Sequence, residues 1–213
     1  MKLAYILPLA ALLSALPGCA TSGAEDAPRA SSAPDWHEIA TPTDRARVRN
    51  WRTAWIQAIA KVEASGHGPQ LASEGALLQP DAAVNWDNPP AGDYRCRVLK
   101  LGAKSAGLLD YVTYPAFDCR IRMENGLMSF AKLTGSQRPL GLFLPDAGNR
   151  MVFLGTLQLG DERRALQYGR DRERDMAGIV ERTGDRQWRL VLPYPHFEST
   201  IDILELVPKG AAS

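Results

Sequence analysis

The densest group of chemistry-bearing side chains lies in YGRDRERDMAG, residues 168–178, where charges crowd Arg170 to Asp175. Acids and bases three residues apart suit weak ion pairs along one exposed helical turn. Three interpretations are open: a solvated connection, the lip of a ligand or partner site, and a catalytic cluster. The near balance of charges favours the solvated connection, with Tyr168 and Met176 marking where the chain re-enters the core. If the segment is a lip, Tyr168 and Arg170 are its candidate contacts.

A second polar group stands at residues 134–139, TGSQRP, which bring hydroxyl, amide and guanidinium groups next to a glycine. Arg138 could clamp a carboxylate or phosphate with its planar guanidinium, and Gln137 could add amide hydrogen bonds. A turn stabilised by the serine and the proline is the favoured interpretation. Gln137 and Arg138 are retained as candidate ligand or partner residues.

Motifs of the common enzyme classes are missing from the sequence. It contains no GxSxG, no HExxH, no HxE with PCxxC and no calcium loop. Three scattered histidines argue against a zinc site. His196-Phe197-Glu198 could seat an acid beside a base, but its place between PYP and a strand is typical of a turn. We therefore predict no catalytic residue, no metal and no cofactor, and a protein that is not an enzyme.

The amino-terminal residues predict export. Lys2 precedes an apolar run that is too short for a membrane-spanning helix, and LPGC follows at residues 16–19. LPGC resembles the lipobox of bacterial lipoproteins, which implies that residues 1–18 are a signal peptide and that Cys19 carries a lipid anchor. By the same resemblance, Ala20 in place of an aspartate favours the outer membrane, with the protein facing the periplasm. Ordinary cleavage after Ala20, which leaves a soluble periplasmic protein, is the alternative.

The rest of the chain divides into a tether and one domain. Residues 19–43 predict a lipid-anchored disordered tether, because alanine, serine, proline and charge dominate without periodicity. Within it, Trp36 and Ile39 are apolar exceptions that could dock on the domain. A single globular domain is predicted over residues 44–208. Its helical lead-in of one or two helices spans residues 44–84, where apolar residues recur every three or four positions.

From residue 93 onward the apolar pattern changes to a period of two, as in strands with one wet face. Strand-like runs separated by turn residues are predicted at 94–101, 108–114, 117–123, 127–133, 150–159, 177–182, 187–192 and 200–207. Two segments, 151–159 and 200–207, are apolar on both faces. Seven or eight strands with short connections predict an antiparallel meander, and closure into a lipocalin-like barrel over residues 93–208 hides its edges. The fold class is therefore mainly β, or α+β with the helices; a β-sandwich is the alternative.

Cys96 and Cys119 form an even pair in an oxidising compartment, so we predict a disulfide. A catalytic thiol is not favoured, because the three histidines offer no evident partner. Both cysteines fall on the apolar phase of their strands, so the bridge faces inward. Either strands 94–101 and 117–124 pair directly, or the bridge closes one end of the barrel.

Seven segments of the sequence carry a resemblance to a known family. They are WRTAWIQAI (51–59), GDYRCRVLKLG (92–102), YPAFDCRI (114–121), KLTGSQRPLG (132–141), MVFLGTLQLGDE (151–162), YGRDRERDMAGIVER (168–182) and RLVLPYPHFEST (189–200). On these segments the chain resembles the family catalogued as domain of unknown function 4893. The resemblance implies an exported bacterial protein and supplies no activity and no catalytic residues. In architecture alone the plan is also similar to lipocalins and to small periplasmic barrels that inhibit secreted metalloproteases.

The function expected from these observations is that of a non-catalytic periplasmic binding module for a small ligand or an envelope protein. A barrel-type protease inhibitor that inserts residues 20–43 into a protease cleft is the first alternative, and an envelope hydrolase is the second. Removal of residues 1–18 takes away Lys2 alone, so the formal net charge falls from +1 to 0, and a neutral chain argues against a nucleic-acid partner. The expected partners are the membrane, through the lipid at Cys19, and an unidentified ligand or protein; we expect a monomer.

Overall fold

The computed structural model describes Met1, residues 34–85 and residues 88–210. Within these ranges, four α-helices and one 3₁₀ helix precede nine β-strands. The helices are α1 Trp36–Ile39, α2 Pro42–Arg49, α3 Trp51–Ala64, α4 Gly68–Ser73 and the 3₁₀ helix Gly75–Leu78. The strands are β1 Gly92–Ala103, β2 Tyr111–Thr113, β3 Phe117–Glu124, β4 Leu127–Lys132, β5 Gln137–Pro145, β6 Arg150–Leu159, β7 Asp175–Gly184, β8 Gln187–Pro193 and β9 Ser199–Pro208.

The strands form an antiparallel meander that closes on itself, because β1 pairs with β9 as well as with β2 and β3. β3 pairs with residues 92–96 of β1, and the short β2 pairs with residues 99–101 on the same side. The result is a closed barrel of eight strands with β2 as one extra strand. The prediction of a mainly β barrel preceded by N-terminal helices is confirmed, and the sandwich alternative is excluded. The described ranges contain four short α-helices and a 3₁₀ helix where one or two helices are predicted.

Two apolar cores lie on opposite faces of the barrel wall. The interior core contains the aromatic cluster Phe130, Phe143 and Phe153, whose ring centroids are 5.3–6.0 Å apart. The exterior core lies between the helices and the outer faces of strands that include β1, β6, β8 and β9, with Trp55 among its buried residues. Because side chains alternate across a strand, a strand that lies between the two cores must be apolar on both faces. This explains the sequence of β6 and β9.

The sequence pattern does not predict strand β5, because residues 134–139 favour a turn. Its proline and glycine break the alternating pattern from which strands are predicted. Pro139 precedes the ladder between β5 and β4, which begins at Leu140, so its missing N–H is tolerated. Gly141 opposes Gly155 on β6, and a Cβ on Gly141 would lie 2.2 Å from the Leu154 carbonyl oxygen. The close approach of the two strands therefore requires glycine at this point.

The helical part begins earlier than the boundary expected at residue 44. Trp36, in α1, is buried, and its indole N–H donates to Asp146 Oδ1 at 2.9 Å, whereas Ile39 is 40% exposed. Thr41 caps α2 by accepting a hydrogen bond from the Asp44 N–H. The next helix, α3, starts after a break at Asn50.

The disulfide joins two directly paired strands. Cys96 and Cys119 are bonded, with their Cα atoms 5.9 Å apart, and both side chains are buried in the interior core. The register places Cys119 opposite Tyr94 and Cys96 opposite Phe117, so the bridge runs diagonally across the β1–β3 ladder. Of the two alternatives left open by the sequence, direct pairing is the correct one.

Residues 2–33 lie outside the described part of the chain, and so do the predictions that concern the signal peptide, Cys19 and most of the tether. Among the helices of the described ranges, none combines the length and apolar character that crossing a membrane would require.

Candidate functional site

One end of the barrel, called the mouth here, contains a cavity. Because neighbouring strands are antiparallel, β1, β4, β6 and β8 end at the mouth while β5, β7 and β9 begin there. The connections at this end are residues 104–110, 133–136, 160–174 and 194–198. Residues of three of these connections, 133–136, 160–174 and 194–198, line the mouth cavity, which has a volume of about 140 Å³. A cavity of about 150 Å³ accommodates a benzene ring, so the mouth cavity has the size of a small ligand.

The walls of the mouth cavity are largely apolar. Inward-facing residues of five strands supply them: Val98, Leu157, Met176, Leu192 and Leu204. Tyr114, Phe117 and Phe197 add aromatic rings around the opening. An apolar wall with a few convergent polar groups is the usual composition of a ligand pocket.

The first polar group in the mouth cavity is an ion-paired lysine. Lys100 on β1 lies opposite Asp202 on β9, and its Nζ is 3.0 Å from Asp202 Oδ2 and 3.2 Å from Glu198 Oε2. Asp202 also accepts a hydrogen bond from the Ser199 hydroxyl. Burial opposes the charge of Lys100, but the two carboxylates outweigh it and raise the pKa of Lys100 above its ordinary value. Both carboxylates are therefore engaged by protein groups.

The second polar group is Lys132, at the end of β4. Its side chain is buried, and its Nζ donates to the Thr134 carbonyl at 2.7 Å and to the Gln137 carbonyl at 2.9 Å. The ammonium also lies 3.5 Å from the centroid of the Phe117 ring. The β4–β5 turn wraps around it so closely that a Cβ on Gly135 would lie 2.7 Å from Nζ.

Lys132 differs from Lys100 in having no acid for a partner. Among the described residues, no carboxylate lies within ion-pair distance of its Nζ; its partners are carbonyls and a ring. Burial, followed by the positive charges of Arg138 and Lys100, lowers the pKa of Lys132 to about 8. Lys132 thus places a poorly compensated positive charge in the cavity wall.

Contacts across the opening join the mouth connections. Gln137 Nε2 donates to Glu198 Oε1 at 3.3 Å, and His196 Nε2 lies 3.8 Å from Glu173 Oε2. Tyr194 and Glu198 have φ of 49° and 64°, a backbone region that is unfavourable for residues with a Cβ. Such strain often accompanies functional sites, and here it lies in the loop that borders the cavity.

The structure separates the four candidate ligand residues. Gln137 lines the mouth cavity, but Arg138 lies outside it and donates to the carbonyls of Gly135, Gly160 and Glu162. The Tyr168 hydroxyl donates to Asp44 Oδ2 at 2.7 Å, at the contact with the helices. Arg170 is exposed on the connection between β6 and β7.

The charged segment that contains Arg170 is only partly solvated. Arg172 is also exposed, but Arg174 donates to the Leu157 carbonyl and to the Glu162 carboxylate. Asp175 is buried and begins β7. The interpretation of the whole run as a solvated turn is therefore wrong at its carboxyl end, because the strand starts before the charges stop. Tyr168 and Met176 pack against the cores as expected.

Three charged residues of the mouth cavity escaped the sequence prediction: Lys100, Lys132 and Asp202. Each continues the inward apolar phase of its strand, as Lys100 does after Tyr94, Cys96 and Val98. A charge on the inward phase at a strand end was the available signal. His196, Phe197 and Glu198, predicted to form a turn, do so at the mouth and line the cavity.

The donors present do not assemble a metal centre. Within residues 34–85 and 88–210, no group of three or more histidine, cysteine, aspartate or glutamate side chains is placed to hold a metal ion.

Comparison with known proteins gives one match. A family model described as "Domain of unknown function (DUF4893)" matches residues 36–206, which include the helices and the whole barrel apart from its last two residues. No curated protein and no solved structure matches the chain significantly.

Proposed function

This chain belongs to the family described as domain of unknown function (DUF4893), and from its geometry we propose that it is a non-catalytic binding module that holds a small ligand in the mouth cavity. The mouth cavity is the observation that carries the proposal, because its apolar wall surrounds a few polar groups at the open end of a closed barrel. The disulfide and the two cores on either side of the wall hold the cavity in a preformed shape.

The polar groups of the cavity favour binding over catalysis. Lys100 forms ion pairs with both Asp202 and Glu198, so each carboxylate is already engaged by a cation of the protein. Asp175 is a buried acid with a raised pKa, but it does not line the mouth cavity. These observations favour a binding module over the envelope hydrolase.

We further propose that the protein is a lipoprotein of the outer membrane, anchored through Cys19 and facing the periplasm. Support comes from LPGC at residues 16–19, which follows an apolar run typical of a signal peptide. A single lipidated cysteine ahead of the domain would keep the binding module at the membrane surface.

The cavity itself can be tested by filling it. Val98 lines the mouth cavity, so Val98→Phe should occupy the space of the ligand, whereas Val84→Phe adds the same bulk at a position that is 42% exposed. Native mass spectrometry of protein isolated from a bacterial envelope should detect a bound small molecule in the wild type and in Val84→Phe, and should not detect it in Val98→Phe. Equal retention by both variants, or an empty wild type, would contradict the proposal. A protease that co-purifies instead would favour the inhibitor.

The lipid anchor can be tested by acyl labelling in a bacterial host. The wild type and the neighbouring control Ser22→Ala should incorporate labelled fatty acid, while Cys19→Ser should incorporate none. Label that persists on Cys19→Ser would rule out Cys19 as the anchor. A wild-type protein that is unlabelled and soluble in the periplasm would support cleavage after Ala20.

A further inference from the structure

Building on the proposed binding function, we propose that the ligand of the mouth cavity is a small carboxylic acid. Its carboxylate lies against the Lys132 ammonium, and its apolar body lies against the strand side chains of the cavity wall.

The distribution of charge in the cavity supports this assignment. Asp202 and Glu198 are paired with Lys100, and Glu173 faces His196 at the opening. Lys132, which is only 5% exposed, has no carboxylate partner among the described residues. A buried charge without an opposite charge is costly, and an anionic ligand would remove that cost.

The geometry around Lys132 leaves one donor for the ligand. Two of the three ammonium N–H groups go to the Thr134 and Gln137 carbonyls, and the remaining neighbour is the face of Phe117. Phe117 is half-buried and lines the same cavity, so a carboxylate that displaced its ring would accept the third N–H as a charge-assisted hydrogen bond. The cavity of about 140 Å³ limits the body of the ligand to one ring or a short branched chain.

A cationic ligand is the competing class, since Glu173 and Glu198 border the opening. Its amine would have to displace Lys100 from Glu198 or bind to Glu173, whose side chain is 69% exposed and screened by water. Neither carboxylate offers an enclosed and unpaired charge, whereas Lys132 does.

Binding of a carboxylate next to Lys132 should depend on pH. Arg138 and Lys100 are the charged groups that act on Lys132, and the other titratable groups that line the same cavity are Glu173, His196, Glu198 and Asp202. With a pKa of about 8 in the free protein, Lys132 is mostly protonated at pH 7 and offers its charge to the anion there. Above pH 8 the affinity should fall by up to about tenfold for each pH unit, because binding must then take up a proton.

Three molecules of one shape and different charge provide the experiment. Benzoate, benzamide and benzamidinium carry charges of about −1, 0 and +1 on the same ring, and nuclear magnetic resonance titration of the full chain measures their dissociation constants between pH 7 and 9.5. We expect benzoate to bind at least about tenfold more tightly than the other two at pH 7. We also expect its affinity alone to fall as the pH rises.

The outcomes separate this inference from the proposed function. Equal binding of benzoate and benzamide at the cavity residues would overturn the carboxylate assignment and leave the binding module standing. Tighter binding of benzamidinium would overturn the assignment in favour of a cation. If none of the three molecules shifts the resonances of the cavity residues, the carboxylate inference fails. The native mass spectrometry experiment then tests separately whether the protein binds a small molecule at all.

Two lysine variants test whether Lys132 is the group that binds benzoate. Lys132→Met should weaken benzoate binding about tenfold at pH 7, remove its pH dependence and leave benzamide unaffected. Lys61→Met removes an exposed lysine from α3 and should change none of these values. A pH dependence that survives in Lys132→Met would assign it to another group, such as Lys104, whose pKa is also lowered by burial. If Lys132→Met does not fold, the three molecules on the wild type decide the question.

Discussion

Asp175 is a buried acid with few neighbouring groups that stabilise its negative charge. Its side chain is 3% exposed, Oδ1 accepts a hydrogen bond from the Gly169 N–H at 2.8 Å, and Oδ2 has no partner among the described residues. Burial raises the pKa of Asp175 above its ordinary value, against the Gly169 hydrogen bond, and the nearby Asp44 carboxylate adds to the rise. The charge therefore costs folding free energy.

We expect Asp175→Asn to raise the free energy of unfolding by about 1 kcal/mol at pH 7. An acid with a raised pKa in the folded state binds its proton more tightly there, so the cost of ionising it is present above that pKa. The gain should disappear as the pH falls below the ordinary value of 3.8, where Asp175 is protonated in both states. Urea unfolding at a series of pH values measures this gain in the free energy of unfolding. Asp161→Asn, at an exposed position, is the control. If Asp175→Asn instead lowered the free energy of unfolding at pH 7, the ionised Asp175 carboxylate would be stabilising the fold.

Arg189 connects the helical elements to the barrel wall. It lies on β8 with no exposed surface, and its guanidinium donates to four carbonyls of the segment that contains the 3₁₀ helix and to Glu181 Oε2 at 2.6 and 2.9 Å. The four carbonyls belong to Ala76, Leu77, Gln79 and Pro80. The guanidinium also lies 4.7 Å from the centroid of the Trp55 ring on α3. One side chain thus holds α3, the 3₁₀ helix and two strands together.

Arg189→Met should lower the free energy of unfolding by about 3–5 kcal/mol, because it leaves Glu181 and the carbonyls buried without their donor. Arg170→Met makes the same chemical change on an exposed loop and should stay within about 0.5 kcal/mol of the wild type. Adding Glu181→Gln to Arg189→Met should recover part of the loss. Equal stability of Arg189→Met and Arg170→Met would show that the network does not stabilise the fold.

At the scale of the whole molecule, the helices cover the outside of the barrel and leave the mouth open. α3 packs on β1, β8 and β9, and α2 packs on β7, so the exterior core is closed on that side. α1 extends this cover through Trp36, whose indole is bonded to Asp146 at the connection between β5 and β6. Trp36, which the sequence pattern assigns to the predicted tether, therefore belongs to the packing of the domain.

Trp36→Ala should cost about 3–5 kcal/mol of unfolding free energy, as expected for a buried tryptophan that is replaced by alanine. Ile39→Ala, in the same short helix at an exposed position, should cost about 0.5 kcal/mol or less. Thermal and urea unfolding of the two variants against the wild type would measure the difference. Similar small effects of both changes would mean that α1 is not part of the stable domain.

The sequence by itself determined the features that depend on neighbouring residues. The period of two predicted most strands, and the inward phase of Cys96 and Cys119 predicted a buried bridge, because alternation along a strand is a local property. β5 was missed for the same reason, since Pro139 and Gly141 remove the local signal while pairing on both sides maintains the strand.

Only the tertiary structure decided what the mouth contains. Lys100, Lys132 and Asp202 lie far apart in the sequence, and they meet because pairing of β1 with β9 closes the barrel and brings the strand ends to a common rim. The same closure separates Gln137, inside the cavity, from Arg138, outside it, although the two are adjacent in the chain. Which acid pairs with which base is set by strand order and register, and these depend on the packing of the whole barrel.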